Sequence, residues 1–206
     1  MIPPFTPQQF LEVFVRYNEA VWPAQLALNG VALAVLALLF APPGRAIAAL
    51  LAVLWAWTGI AYHLLFFREI NAAATLFGAL FLAGAGVFAW EGVVRNRLTF
   101  AWSAGLRGAA GLALALYALA VYPLVALNLG RAYPAMPTFG APCPTTIFTI
   151  GVLAFLRPPC RRRVFVAPLL WAVVGSQVAF FFGIYEDLGL VAAGAAGAVF
   201  ALRRRA

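Results

Sequence analysis

Hydrophobic positions along this chain form one periodic stretch followed by seven continuous ones. In the periodic stretch, Phe10, Leu11, Phe14, Val15 and Tyr17 recur at roughly helical spacing, with Glu12, Arg16 and Glu19 on the opposite face. Thr6 stands in the capping position, Pro7 is the first helical residue, and Gln9 can close a capping box. The pattern predicts an amphipathic helix over residues 7–20 lying on a membrane surface. It ends in Tyr17-Asn18-Glu19-Ala20-Val21-Trp22-Pro23.

The continuous segments run near 24–40, 46–67, 72–90, 108–127, 145–157, 164–184 and 188–202. Pro42-Pro43-Gly44 stops the first and Arg68-Glu69 closes the second; the loop from Glu91 to Leu106 carries Arg95, Arg97 and Trp102. The last segment is rich in small residues, from Gly189 to Gly197, which suits close helix packing. The chain reads as all-α and as a single membrane domain, with no internal repeat and no linker.

The fifth segment breaks the pattern. Thr145 to Arg157 has thirteen residues, which makes about 20 Å of helix against a hydrocarbon core of roughly 30 Å. Before it stands Pro134-Ala135-Met136-Pro137-Thr138-Phe139-Gly140-Ala141-Pro142-Cys143-Pro144, with four prolines. The expectation is a broken helix, with irregular chain making up the missing depth from the outer side. Backbone of that kind survives at membrane depth only when buried in protein or lining a wet cavity.

Composition agrees with a polytopic membrane protein. The chain is 65% hydrophobic and 10% charged, with a mean hydropathy of +0.96. The first twenty residues carry Glu12 and Glu19 and do not read as a signal peptide. The net charge of +8 sits at segment ends, so it reads as topology and not as a nucleic-acid surface. All basic residues are Arg; without Lys, retinal and pyridoxal phosphate Schiff bases are excluded.

With seven spans and the N-terminus outside, the inner side receives eleven Arg: 45, 95, 97, 107, 157, 161, 162, 163, 203, 204 and 205. The outer side receives three, Arg16, Arg68 and Arg131. By the positive-inside rule this predicts an outer N-terminus and an inner C-terminus.

On that map the uncommon polar residues gather at the outer end. They are Asn18, Trp22, His63, Asn71, Tyr122, Asn128, Tyr133, Cys143, Thr145, Thr146 and Gln177, with Glu186 and Asp187 in the outer link between the last two segments. Intramembrane polar groups usually face the protein interior or a wet cavity. The expectation is an outward pocket floored by the start of the fifth helix and walled by His63, Asn71, Tyr122 and Gln177. Ordinary boundary polarity is the competing explanation, and both stay open.

Cys143-Pro144-Thr145-Thr146 at a helix start offers N–H donors to an anion, or a field that favours a Cys143 thiolate; it also reads as a simple cap. His63, Cys143 and Met136 come from different segments, so spacing supports no metal site. Cys143 lies outside and Cys160 in the inner Arg loop, so the two cannot form a disulfide. Cys160 reads as a plain loop cysteine, with palmitoylation as the alternative. The chain has no HExxH, GxSxG or P-loop, and no paired carboxylates within a span. No catalytic residue, metal or cofactor is assigned. The expected partners are the bilayer and a small polar solute or ion, which the protein binds or translocates. A membrane thiol or metal enzyme using Cys143 and His63, and a scaffold subunit with no ligand site, are the alternatives.

Several runs carry a resemblance. They include Phe5-Thr6-Pro7 with Gln9-Phe10, Trp22-Pro23-Ala24-Gln25, Trp55-Ala56-Trp57-Thr58-Gly59-Ile60-Ala61-Tyr62-His63, and Phe66-Phe67 with Ile70-Asn71. Pro142-Cys143-Pro144-Thr145-Thr146-Ile147-Phe148-Thr149 and Glu186-Asp187-Leu188-Gly189 complete the set. Together they resemble the bacterial membrane family designated domain of unknown function 6064. The resemblance implies a multi-span integral membrane protein of about this length and carries over no functional residue; the expected location is the bacterial inner membrane.

Overall fold

The computed structural model describes residues 4–41, 44–159 and 161–202. Pro42-Pro43, Cys160 and the Arg203-Arg204-Arg205 cluster lie outside the described residues. Eight helices follow in order among those residues: α1 (Pro7–Val21), α2 (Ala24–Leu38), α3 (Gly44–Glu69), α4 (Ala74–Val94), α5 (Leu106–Asn128), α6 (Pro142–Leu153), α7 (Arg163–Phe182) and α8 (Tyr185–Leu202). Extended structure among the described residues is limited to two isolated bridges.

Five of these helices, α3, α4, α5, α7 and α8, are long and apolar enough to cross a membrane. α2 has 15 residues and is joined to α1 through an 88° bend. α6 has 12 residues, about 18 Å of helix.

α6 is the axis of the fold. It packs against α3, α5, α7 and α8, and every one of its residues is buried. A helix that is apolar all round has no face for solvent and belongs inside. Close approach is made by small residues. A Cβ on Gly111 of α5 would lie 2.6 Å from the Gly151 carbonyl oxygen, and a Cβ on Gly151 would lie 2.6 Å from that of Gly111. On α8, Gly197 meets Ile150 of α6 and Gly194 meets Ala172 of α7. Trp55 of α3 donates from Nε1 to Thr149 Oγ1 at 2.9 Å, and Thr149 donates to Thr145 O at 2.8 Å, so α3 and α6 are also joined through their side chains.

Irregular chain continues α6 at both ends, whereas the sequence reading placed it on one side only. At the far end Leu156 pairs antiparallel with Phe100. Ala101 N donates to Phe155 O at 3.0 Å, and Arg157 N to Thr99 O at 2.8 Å. At the near end the buried run begins at Phe139, three residues before the helix. Backbone groups just past the C-terminal end of α6 are thus met by neighbouring chain instead of lipid.

α1 starts where expected, runs one residue further to Val21, and carries the expected cap. Thr6 N donates to Gln9 Oε1 at 2.8 Å, and Gln9 N to Thr6 Oγ1 at 3.2 Å. Its apolar face is turned differently from the expectation. Phe10, Val13, Phe14 and Tyr17 are buried against Tyr62 and Phe67 of α3 and against Ala141 and Ile184, so protein covers the face assigned to lipid.

Candidate functional site

Asn18 organises the chain that enters α6. Its Nδ2 donates to Pro134 O at 2.6 Å and Met136 O at 2.8 Å. Its Oδ1 accepts from Gln25 Nε2 at 2.7 Å and from Thr138 Oγ1 at 2.8 Å. Two donors and two acceptor sites is the whole capacity of an Asn amide. The Tyr133 hydroxyl adds a bond to Asn18 O at 3.1 Å. Just beyond, Gly140 turns the chain with φ +101°, and its carbonyl accepts from Thr58 Oγ1 at 3.1 Å.

This clasp sets a cavity of about 380 Å³ above the start of α6. Pro142, Cys143 and Pro144 form one side of it. α1 supplies Phe10 and Phe14 as a roof; α3 supplies Tyr62 and Phe67; α4 and the turn before it supply Phe77 and Asn71. From α7 come Trp171, Gln177 and Phe182, and from α5 and α8 come Tyr122 and Asp187. The rings of Phe10 and Phe182 stack at 5.3 Å, and Phe10 meets Phe67 edge-on at 5.7 Å. Val174, Gln177 and Phe181 are the exposed members on α7, so the rim lies along that helix.

Two of the walls are built from unusual helix. Residues Thr58–Phe66 of α3 and Tyr117–Val121 of α5 form π turns, the first carrying Tyr62 and the second leading into Tyr122. Such widened turns recur at functional sites because they re-aim side chains off the regular helical faces.

The polar side of the cavity centres on Asp187, which is 2% exposed. Tyr122 Oη donates to Asp187 Oδ1 at 2.5 Å, and the Cys143 thiol stands against the same carboxylate. The adjacent Glu186 is fully buried and paired with Arg131 in a two-pronged contact; Arg131 Nε donates to Oε1 at 3.2 Å while Nη2 engages Oε2. Tyr117 Oη donates to Glu186 O at 2.7 Å.

Of the residues singled out from sequence, Asn71, Tyr122, Cys143 and Gln177 line the cavity. The others have different surroundings. His63 is buried among Phe77, Phe81 and Trp171, and neither of its ring nitrogens has a hydrogen-bond partner among the described residues. Thr145 and Thr146 lie deeper in α6, buried and outside the lining. Asn18 belongs to the clasp, and Trp22 is 56% exposed beside Tyr133. The helix start also offers fewer donors than expected. Pro142 and Pro144 have no N–H, and Thr145 N is used on Ala141 O at 3.2 Å.

Sequence reasoning put Asp187 at the outer end but not in the pocket, and it did not assign the aromatic walls to a site. Glu186-Asp187 reads as a loop between the last two segments. The available signal was its place directly at the head of the last helix, where a carboxylate sits close to the lipid boundary.

Fold and cavity together define an all-helical protein with five helices able to span a membrane, wrapped around a buried short helix. The chain belongs to the Family of unknown function (DUF6064), whose model matches residues 7–206. No curated protein and no solved structure matches it.

Proposed function

We propose that this protein is a seven-pass protein of the bacterial inner membrane that binds, and carries across, a small solute in the cavity above Cys143. In this reading α2 is the first pass. α6, completed by irregular chain at both ends, is the fifth. The Arg excess at one end supports an outer N-terminus and an inner C-terminus. The cavity then opens from the outer half.

The observation that carries the reading is the cavity itself, at about 380 Å³. It falls in the range of small-molecule sites, which are mostly apolar with a few convergent polar groups. It lies where a short helix begins in mid-protein, the place that broken helices give to transporter sites. Its mixed lining favours a solute with an apolar body and one polar end over a bare inorganic ion.

The test uses purified protein in lipid nanodiscs and a panel of water-soluble aromatic and alkyl probes of positive, zero and negative charge. Saturable binding of at least one probe, weakened by the cavity-filling variant Val178→Trp, is the expected result. Absence of saturable binding across the panel removes the reading. Uptake of a bound probe into proteoliposomes separates translocation from binding alone.

A further inference from the structure

Asp187 is the one charged side chain among the described residues that line the cavity, and no Arg joins it there. Its two near partners, the Tyr122 hydroxyl and the Cys143 thiol, are neutral groups. The nearest guanidinium, Arg131, is held by Glu186 through Nε and Nη2, and its Nη1 points to Gly183 O at 3.5 Å. A carboxylate taken out of water keeps its charge only with a counter-charge as well as hydrogen bonds; otherwise it takes up a proton. The fold supplies hydrogen bonds from Tyr122 and Cys143, while the only nearby cation among the described residues, Arg131, is spent on Glu186 and reaches Asp187 only through space.

The remaining walls suit a particular kind of cation. Phe10, Phe67 and Phe182 form a packed set, Tyr62 lies against Phe67, and Trp171 also lines the cavity. Aromatic faces attract an ammonium group, most strongly where water is excluded. A bare metal ion is poorly matched, because hard cations take six or more oxygen ligands and this lining brings one carboxylate among mostly apolar side chains. An anion would meet Asp187 head-on.

We infer that the solute is an organic cation, a small amine or quaternary ammonium compound, with its nitrogen toward Asp187 and its body among the aromatic rings. This rests on the proposal that the cavity is a ligand site. It adds the chemical class, which neither the family nor the fold assigns.

The experiment compares choline and phenyltrimethylammonium with 3,3-dimethylbutan-1-ol, the neutral carbon isostere of choline, and with benzoate. Binding is measured by ligand-observed NMR and equilibrium dialysis on the full chain in nanodiscs. The cations bind at least tenfold tighter than the neutral isostere, and benzoate does not bind. Asp187→Asn lowers cation affinity at least tenfold and leaves affinity for the neutral probe within about threefold. Phe182→Leu and Trp171→Leu keep an apolar side chain, though a smaller one, while removing π faces, and each weakens cation binding several-fold more than it weakens neutral binding. These two variants decide the matter if Asp187→Asn does not fold. Equal binding of choline and its neutral isostere, or benzoate binding, overturns the organic-cation inference and leaves the cavity reading standing. Binding of no probe at all overturns both.

Discussion

The Tyr122 hydroxyl donates to Asp187 Oδ1 at 2.5 Å, joining residues 65 positions apart and fastening α5 to the head of α8. Both are buried, Tyr122 at 1% and Asp187 at 2% exposure. Tyr122→Phe keeps the ring and removes the donor. A buried acceptor stripped of its bond costs about 1–3 kcal/mol. The thermal midpoint of Tyr122→Phe in detergent is therefore lower than that of the parent. If an organic cation occupies the cavity, its stabilising effect on the midpoint is retained in this variant and lost in Asp187→Asn. Loss in both would show that Tyr122 positions the carboxylate as well as bonding to it.

The Asn18 amide holds the Pro134–Thr138 chain through three side-chain hydrogen bonds and accepts a fourth from Gln25. Asn18→Asp preserves shape and acceptor while removing both donors to Pro134 O and Met136 O. Asn18→Leu removes everything. Each buried carbonyl left unpaired costs about 1–3 kcal/mol, so both variants unfold at lower temperature. Limited proteolysis provides the local readout: cleavage between residues 129 and 141 rises in both variants, with α1 and α7 cut no faster than in the parent. Uniformly faster cleavage would show that the clasp supports the whole fold and not the entrance to α6.

Much of this architecture can be read from spacing alone. The capping box at Thr6 and Gln9 is local, and α1 starts at Pro7 as its motif requires. The apolar segments near 46–67 and 108–127 become Gly44–Glu69 and Leu106–Asn128, because hydropathy is averaged over many residues and end effects are small. The shortness of α6 follows from the prolines and from the charged residues that begin at Arg157. What spacing cannot convey is partnership at long range. Asn18 and Trp22 look alike as polar-boundary residues, yet Asn18 meets carbonyls more than a hundred positions away while Trp22 stands exposed. His63 and Tyr62 are neighbours, but successive side chains of a helix point in different directions and only Tyr62 reaches the cavity. Asp187 becomes a cavity residue because Arg131 takes Glu186 and leaves its neighbour to Tyr122.

Gly140 has φ +101°, and a Cβ there would stand 2.5 Å from Leu28 Cδ1 and 3.2 Å from the Tyr17 hydroxyl. Gly130 has φ +81° with nothing near an added Cβ. The pair separates backbone strain from crowding. Gly130→Ala carries the left-handed penalty alone, about 1–2 kcal/mol. Gly140→Ala carries that penalty plus a forced shift of Leu28 or of the chain, so its loss is larger. Thermal midpoints of the two variants check the order. Equal losses would show that Leu28 moves aside freely and that the turn at Gly140 is not tightly held.

Arg131 and Glu186 form a buried pair, with side-chain exposures of 15% and 0%. Removing one partner strands a charge in low dielectric, which costs about 3–5 kcal/mol. Arg131→Met leaves Glu186 beside Asp187, two acids with no fixed counter-charge within hydrogen-bond reach. This single variant is among the most damaging at this end of the molecule, seen as loss of folded material in detergent extracts. Replacing both members, Arg131→Met with Glu186→Leu, removes the stranded charge together with its partner, and folded yield recovers substantially, as buried pairs replaced by apolar side chains often do. Cation binding by the double variant then reports on Asp187 alone. Affinity close to the parent's identifies Asp187 as the carboxylate that holds the ammonium group; affinity lost with Glu186 moves that role one residue back along the chain.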